Sequence, residues 1–146
     1  MKITYKGDYA LKTILGLAIH YGSGPITIHD LAQSADIPLK FLEQILLDLK
    51  RGGFVVSRRG KVGGYLLAKP PSQIKLGDVA RFIDGPIEPV ACVDNKYKGC
   101  SEISKCIFRP IWQRVTESTS KIIDNITFDD LAKKTKRAHS TFIYNI

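Results

Sequence analysis

The chain has 146 residues, 44% hydrophobic and 25% charged, which is enough apolar material for a globular core and too little length for a large two-domain enzyme. Lys and Arg number 22 against 14 Asp and Glu, a net +8 that points to polyanionic partners. No apolar run reaches the roughly 18 residues of a membrane span, and an odd count of 3 cysteines behind an N-terminus without secretory-signal character implies a reducing, cytoplasmic setting.

Leu11, Ile14, Leu15, Ala18 and Ile19 recur at the spacing of one helix face, which the Gly-rich residues 21–25 end. Thr27 and Asp30 have the spacing of a capping box and open a short second helix through Leu31, Ala32 and Ala35. Asp36 reads as the N-cap of a third helix, with Pro38 early in its first turn and Gly52-Gly53 as its stop. On that helix Phe41, Leu42, Ile45, Leu46 and Leu49 form an apolar stripe, while Lys40, Glu43, Gln44, Leu47 and Arg51 face away. Residues 54–58 and 65–69 are β-favouring runs, and the glycines of residues 59–64 suit a hairpin. Three helices and a hairpin with a basic tip predict a mainly α fold, a winged helix-turn-helix with a small β-hairpin wing.

Charge concentrates where that fold would meet a duplex. Between Pro38 and Lys69, 7 basic residues oppose Glu43 and Asp48, a net +5. The major groove admits a helix, where Glu43 accepts from cytosine N4, Gln44 pairs with adenine and Leu47 meets a thymine methyl. Lys40, Lys50 and Arg51 grip phosphates, and Arg58, Arg59 and Lys61 on the wing suit the narrow minor groove. A polar helix face alone is that of any solvated helix; with the wing and the local +5 it favours DNA over a protein-interaction winged helix. The second basic group, Lys133, Lys134, Lys136 and Arg137, reads as a disordered solubilising tail.

Beyond Pro70-Pro71, the residues Ile74, Leu76, Val79, Ala80 and Ile83 predict a short helix closed at residues 84–86. All the cysteines follow in one polar loop, Cys92, Cys100 and Cys106. Clustered thiols suit an iron–sulfur centre. Zinc competes, although C-x7-C-x5-C lacks paired knuckles, as does a thiol switch whose pKa Lys96, Lys98 and Lys105 would lower. Spacing leaves the three open. Next comes a helix of about four turns with Ile111, Trp112, Val115, Thr119, Ile122, Ile123 and Ile126 on one stripe. It reads as a dimer seam, the alternative being packing on its own winged helix. Thr127 and Asp130 cap a last short helix through Leu131. The domains expected are a DNA-binding unit at 1–86, a cysteine loop at 87–109, and a dimerisation helix with basic tail at 110–146. No nucleophile–base pair or phosphate-cradling loop appears, so no enzyme and no small-molecule substrate are expected. His20, His29 and His139 match no motif.

The residues resemble a known family, the Rrf-two type winged-helix regulators with their IscR, NsrR and CymR branches. The likeness runs to about residue 135 and rests on residues 1–4 with Lys6-Gly7 and Tyr9-Ala10, residues 41–45, Arg59-Gly60 with residues 63–67, the cysteine loop, and Ile111-Trp112 followed by residues 125–127. It implies a homodimeric repressor on a palindromic operator, joined through the long helix, whose cysteine loop holds an iron–sulfur cluster, 2Fe–2S or 4Fe–4S, sensing redox state, nitric oxide or cluster supply. It also implies base contacts from Glu43, Gln44 and Arg59, as in the IscR branch. The IscR and NsrR branches place fewer residues between their first two cysteines than the seven here, and the IscR branch has a His ligand where this chain has Arg109. Asp8 falls where the NsrR branch supplies a carboxylate ligand from the partner subunit; its other reading is an N-cap of the first helix. Two alternatives stand beside this: a cluster-free regulator of the CymR type using thiols or a partner protein, and a metal or redox carrier with an incidental winged helix.

Overall fold

The structure, a computed structural model, describes residues 2–144. Helix α1 (Tyr5–Ile19) is capped by Thr4, whose hydroxyl accepts the Gly7 N–H at 3.0 Å. The same hydroxyl donates to Asp84, which also accepts the Thr4 N–H. Thr4 is therefore the cap, and the N-cap reading of Asp8 is corrected. Helix α2 (Ile28–Ala35) has the expected box, with Thr27 accepting from the Asp30 N–H at 3.2 Å.

Asp36 does not open the third helix. It closes α2 in the left-handed conformation, φ 52°, because Pro38 keeps Ile37 out of helical backbone. Helix α3 (Leu39–Arg51) starts beyond it, with Pro38 at its N-cap. Leu42, Ile45, Leu46 and Leu49 are buried, each contributing about 1.5–3 kcal/mol. They pack with Ile14 and Leu17 of α1 and Leu31 of α2 in one core. Phe41 departs from the predicted stripe: it lies about 90° from the stripe's centre, is 60% exposed, and leans on Tyr9.

The wing consists of β1 (Val55–Arg58) and β2 (Gly64–Leu67), antiparallel, with Val55 opposite Leu67 and Arg58 opposite Gly64. Val55 and Leu67 join the core, which fixes the hairpin's register. Ile26 and Tyr65 exchange backbone bonds of 3.0 and 2.8 Å. That contact brings the chain before α2 so close to Gly64 that a Cβ would strike the Ile26 carbonyl. Only glycine fits there.

Helix α4 (Leu76–Asp84), helix α5 (Arg109–Ile123) and helix α6 (Phe128–Tyr144) complete the chain. The dimer stripe is shorter than predicted, since α5 ends at Ile123 and Ile126 lies in the connector, its carbonyl accepting the Leu76 N–H at 2.9 Å. The disordered-tail reading of residues 133–137 is overturned: they belong to α6, a helix of 17 residues. The cause is local and tertiary. Thr127 and Asp130 cap it reciprocally, Lys133 pairs with Asp129, and Phe128 and Ala132 enter the core, where α6 lies against α1.

Candidate DNA interface and cysteine loop

Burial of one face of α3 leaves the other to solvent. Lys40, Glu43, Gln44, Leu47, Lys50 and Arg51 are all exposed, in the arrangement expected from the periodicity. Lys50 Nζ donates to Ser57 Oγ at 2.9 Å, tying the end of the helix to the wing. Arg58, Arg59 and Lys61 are exposed at the hairpin's tip. Helix and wing thus both present exposed cationic side chains, joined by the Lys50–Ser57 bond.

Sequence reasoning counted Asp48 only as a charge and missed its contacts. Asp48 lies 2.7 Å from Lys6 Nζ and 3.6 Å from Arg51 Nη1, and it accepts from Gln44 Nε2 at 3.3 Å. The Lys6 contact, aided by Gln44 and Arg51, holds its carboxyl below the usual aspartate range. The available signal was its place one helical turn after Gln44, the only spacing besides i+3 that brings side chains together on a helix.

Cys92 and Cys106 are half-buried and Cys100 is exposed; all three are free thiols. The loop begins in a single 3-10 turn at Ala91–Val93. Arg109 Nε donates to the Cys92 carbonyl at 2.7 Å and its Nη2 to Asn95 Oδ1 at 3.1 Å, so the residue at the IscR branch's His position fastens the loop to α5. Three thiols in one loop are a donor set suited to an iron–sulfur cluster. Among the described residues, however, no three His, Cys, Asp or Glu side chains are gathered as a bound metal requires. Asp8, half-exposed on the first turn of α1, pairs with Lys12 at 2.8 Å, and the carboxylate raises the Lys12 pKa.

Helix α5 has no buried residue. Trp112 is 37% exposed and Ile122 64%, and Ile111 is exposed on the same side. Its firm link to the rest of the chain is Arg81 of α4, which forks onto Asp124 at 2.7 and 3.1 Å and onto Ser120 at 3.1 Å. Arg81 holds the Asp124 carboxyl below its ordinary range. This tie was also absent from the sequence reading, since its partners are 43 residues apart.

The sequence profile of the Rrf2 family, described as iron-dependent transcriptional regulator, matches residues 3–134. The chain belongs to the Rrf2 family. Similar Rrf2 proteins include the HTH-type transcriptional regulator CymR of Bacillus subtilis, 34% identical over the full length of both chains. The solved structure of CymR, the global cysteine regulator of B. subtilis, superposes with TM-score 0.76 over 92% of this chain and 98% of that one. The HTH-type transcriptional regulator IscR of Yersinia pseudotuberculosis is 34% identical over 90% of this chain and 79% of its own. The structure of T. potens IscR matches with TM-score 0.74 and 30% identity, covering 94% and 90%. The protein is thus an Rrf2 transcriptional regulator with the family's winged-helix fold, and among the described residues no helix is long and apolar enough to cross a membrane.

Proposed function

We propose that this Rrf2 protein is a cytoplasmic, homodimeric repressor that binds a palindromic duplex and senses redox state, nitric oxide or cluster supply through Cys92, Cys100 and Cys106. The observation that carries the DNA reading is the exposed polar face of α3 beside the basic wing. Lys40, Lys50, Arg51, Arg58, Arg59 and Lys61 supply phosphate and minor-groove contacts, and Glu43 and Gln44 read bases. A second copy covers the apolar side of α5 through Ile111, Trp112, Val115, Ile122 and Ile123, which places two α3 helices on two half-sites. Residues 1–86 together with α6 then form the DNA-binding unit, 87–109 the sensing loop and α5 the dimerisation helix.

The three cysteines would hold an iron–sulfur cluster, with the partner's Asp8 as fourth ligand. Such a group supplies iron reactive toward oxidants and nitric oxide. This chain's own contribution is to provide three thiolates on a loop fastened by Arg109, beside the helix that sets the dimer. Anaerobically purified protein is expected to be coloured and to contain iron and acid-labile sulfide; colourless protein lacking both would sink the cluster. A cluster-free regulator using thiol chemistry is the second reading. It is favoured by the dispersed thiols and by Arg109 standing at a ligand position. DNA binding has its own test: at fixed salt the protein should prefer its palindrome over random duplex by about 10³ or more, and equal affinity would refute it.

A further inference from the structure

We infer that Asp48 is the positioning residue that sets which base Gln44 reads. The inference rests on the reading that α3 enters the major groove.

A glutamine side chain ends in a carbonyl acceptor and an NH2 with two donors, and rotation by half a turn exchanges them. A free glutamine on a helix surface therefore presents either sense to a base. Gln44 is not free in this way. Its Nε2 donates to Asp48 Oδ1 at 3.3 Å, whereas the reversed amide would set its own carbonyl oxygen against a carboxylate. The carboxylate is itself fixed. It sits on the border between the reading face and the core, with only 16% of its side chain exposed, and Lys6 from α1 holds its other oxygen at 2.7 Å. One N–H and the carbonyl of Gln44 are then left pointing outward, the pair that matches N7 and N6 of adenine.

The placement of this acid also argues for a role beyond charge. A carboxylate among 7 basic residues on a phosphate-facing surface weakens non-specific attraction to DNA. Lys6 and Arg51 offset part of that loss. What the carboxylate contributes in return is a single orientation for its neighbour on the next turn, anchored through Lys6 to a different helix.

The test selects binding sites from a pool of short duplexes with randomised centres, using wild type, Gln44→Ala, Asp48→Ala and Asp48→Arg. Wild type is expected to select adenine at one position per half-site, and Gln44→Ala to lose that preference. Asp48→Ala should lower the preference at least about five-fold, while its affinity for random duplex at the same salt stays level or rises. Asp48→Arg, a strong helix former carrying donors only, turns the amide over and should likewise abolish the adenine preference. Should Asp48→Ala fail to fold by circular dichroism, the arginine variant alone decides. Full adenine preference in the folded Asp48 variants would overturn the inference, and so would an equal loss of specific and random affinity, which marks a merely structural role. An unchanged selection by Gln44→Ala at every position shows that Gln44 reads no base and overturns this inference alone, since the groove reading is tested separately by Glu43→Ala.

Discussion

Truncating Ile122 tests the proposed dimer at a residue that is mostly exposed in the single chain. Its side chain is 64% exposed on the open side of α5. Covering a fully exposed isoleucine contributes about 1.5–3 kcal/mol, so covering this fraction contributes about 1–2 kcal/mol per subunit. A two-fold interface counts every substitution twice, which gives about 2–4 kcal/mol, or a dimer dissociation constant weakened by between one and three orders of magnitude. Sedimentation equilibrium of Ile122→Ala across a concentration series reads this directly. The folded chain should be nearly indifferent, within about 0.5 kcal/mol as for other exposed positions. A variant with wild-type self-association, or a wild type that sediments as a monomer, would refute the assignment of α5 as the seam. A large loss of thermal stability at concentrations where both proteins are monomeric would instead show that Ile122 serves the chain's own fold.

Three further outcomes follow from the same geometry. Glu43→Ala should relax selection at one base position by about 1–3 kcal/mol, whereas Lys50→Ala should weaken binding to all duplexes alike and reduce the salt slope by about one phosphate; identical behaviour of the two in a competition titration would show that α3 is misassigned. Gly7→Ala places a Cβ against the Asp84 carboxylate that holds Thr4 and should cost about 1–3 kcal/mol in urea denaturation, an unchanged midpoint counting against that contact. Because Arg81 holds Asp124 below its ordinary value near 3.8, the pair contributes stability above that pH, which is lost as pH falls through the lower native value. Asp124→Asn should therefore flatten part of the acid slope in urea midpoints measured from about pH 5 downward, and an unaltered slope would exclude the pair as its source.

Much of this was legible because period and charge fell on the same segment. The buried face of α3, the capping boxes at Thr27 and Thr127, and the hairpin with its glycines all follow from local rules that the tertiary structure did not override. The misreadings have physical sources. Asp36 has the chemistry of an N-cap, but the proline two residues on decides where helical backbone can begin. Phe41 is apolar and adjacent to the stripe, yet angle, not hydrophobicity, determines which side it takes. The basic run at 133–137 looked like a tail because its charges were weighed without Phe128 and Ala132, whose burial ties that helix into the core. The Lys6–Asp48 and Arg81–Asp124 pairs were hidden for another reason: each joins residues far apart in the chain, which spacing does not reveal, whereas the Gln44–Asp48 contact within α3 was open to a spacing argument.

The fork of Arg81 onto Asp124 and Ser120 grips α5 near its C-terminus, and Arg109 ties the cysteine loop to its other end. In the proposed dimer that fork would serve α5 as a pivot near its C-terminus. Its 15 residues span about 22 Å at 1.5 Å per residue, so a tilt of about 10° carries the loop end through about 4 Å. One base-pair step in a duplex is about 3.4 Å. Under the proposed function, a chemical event that moves the loop by a few ångströms would therefore work at the scale on which two half-sites fall into or out of step.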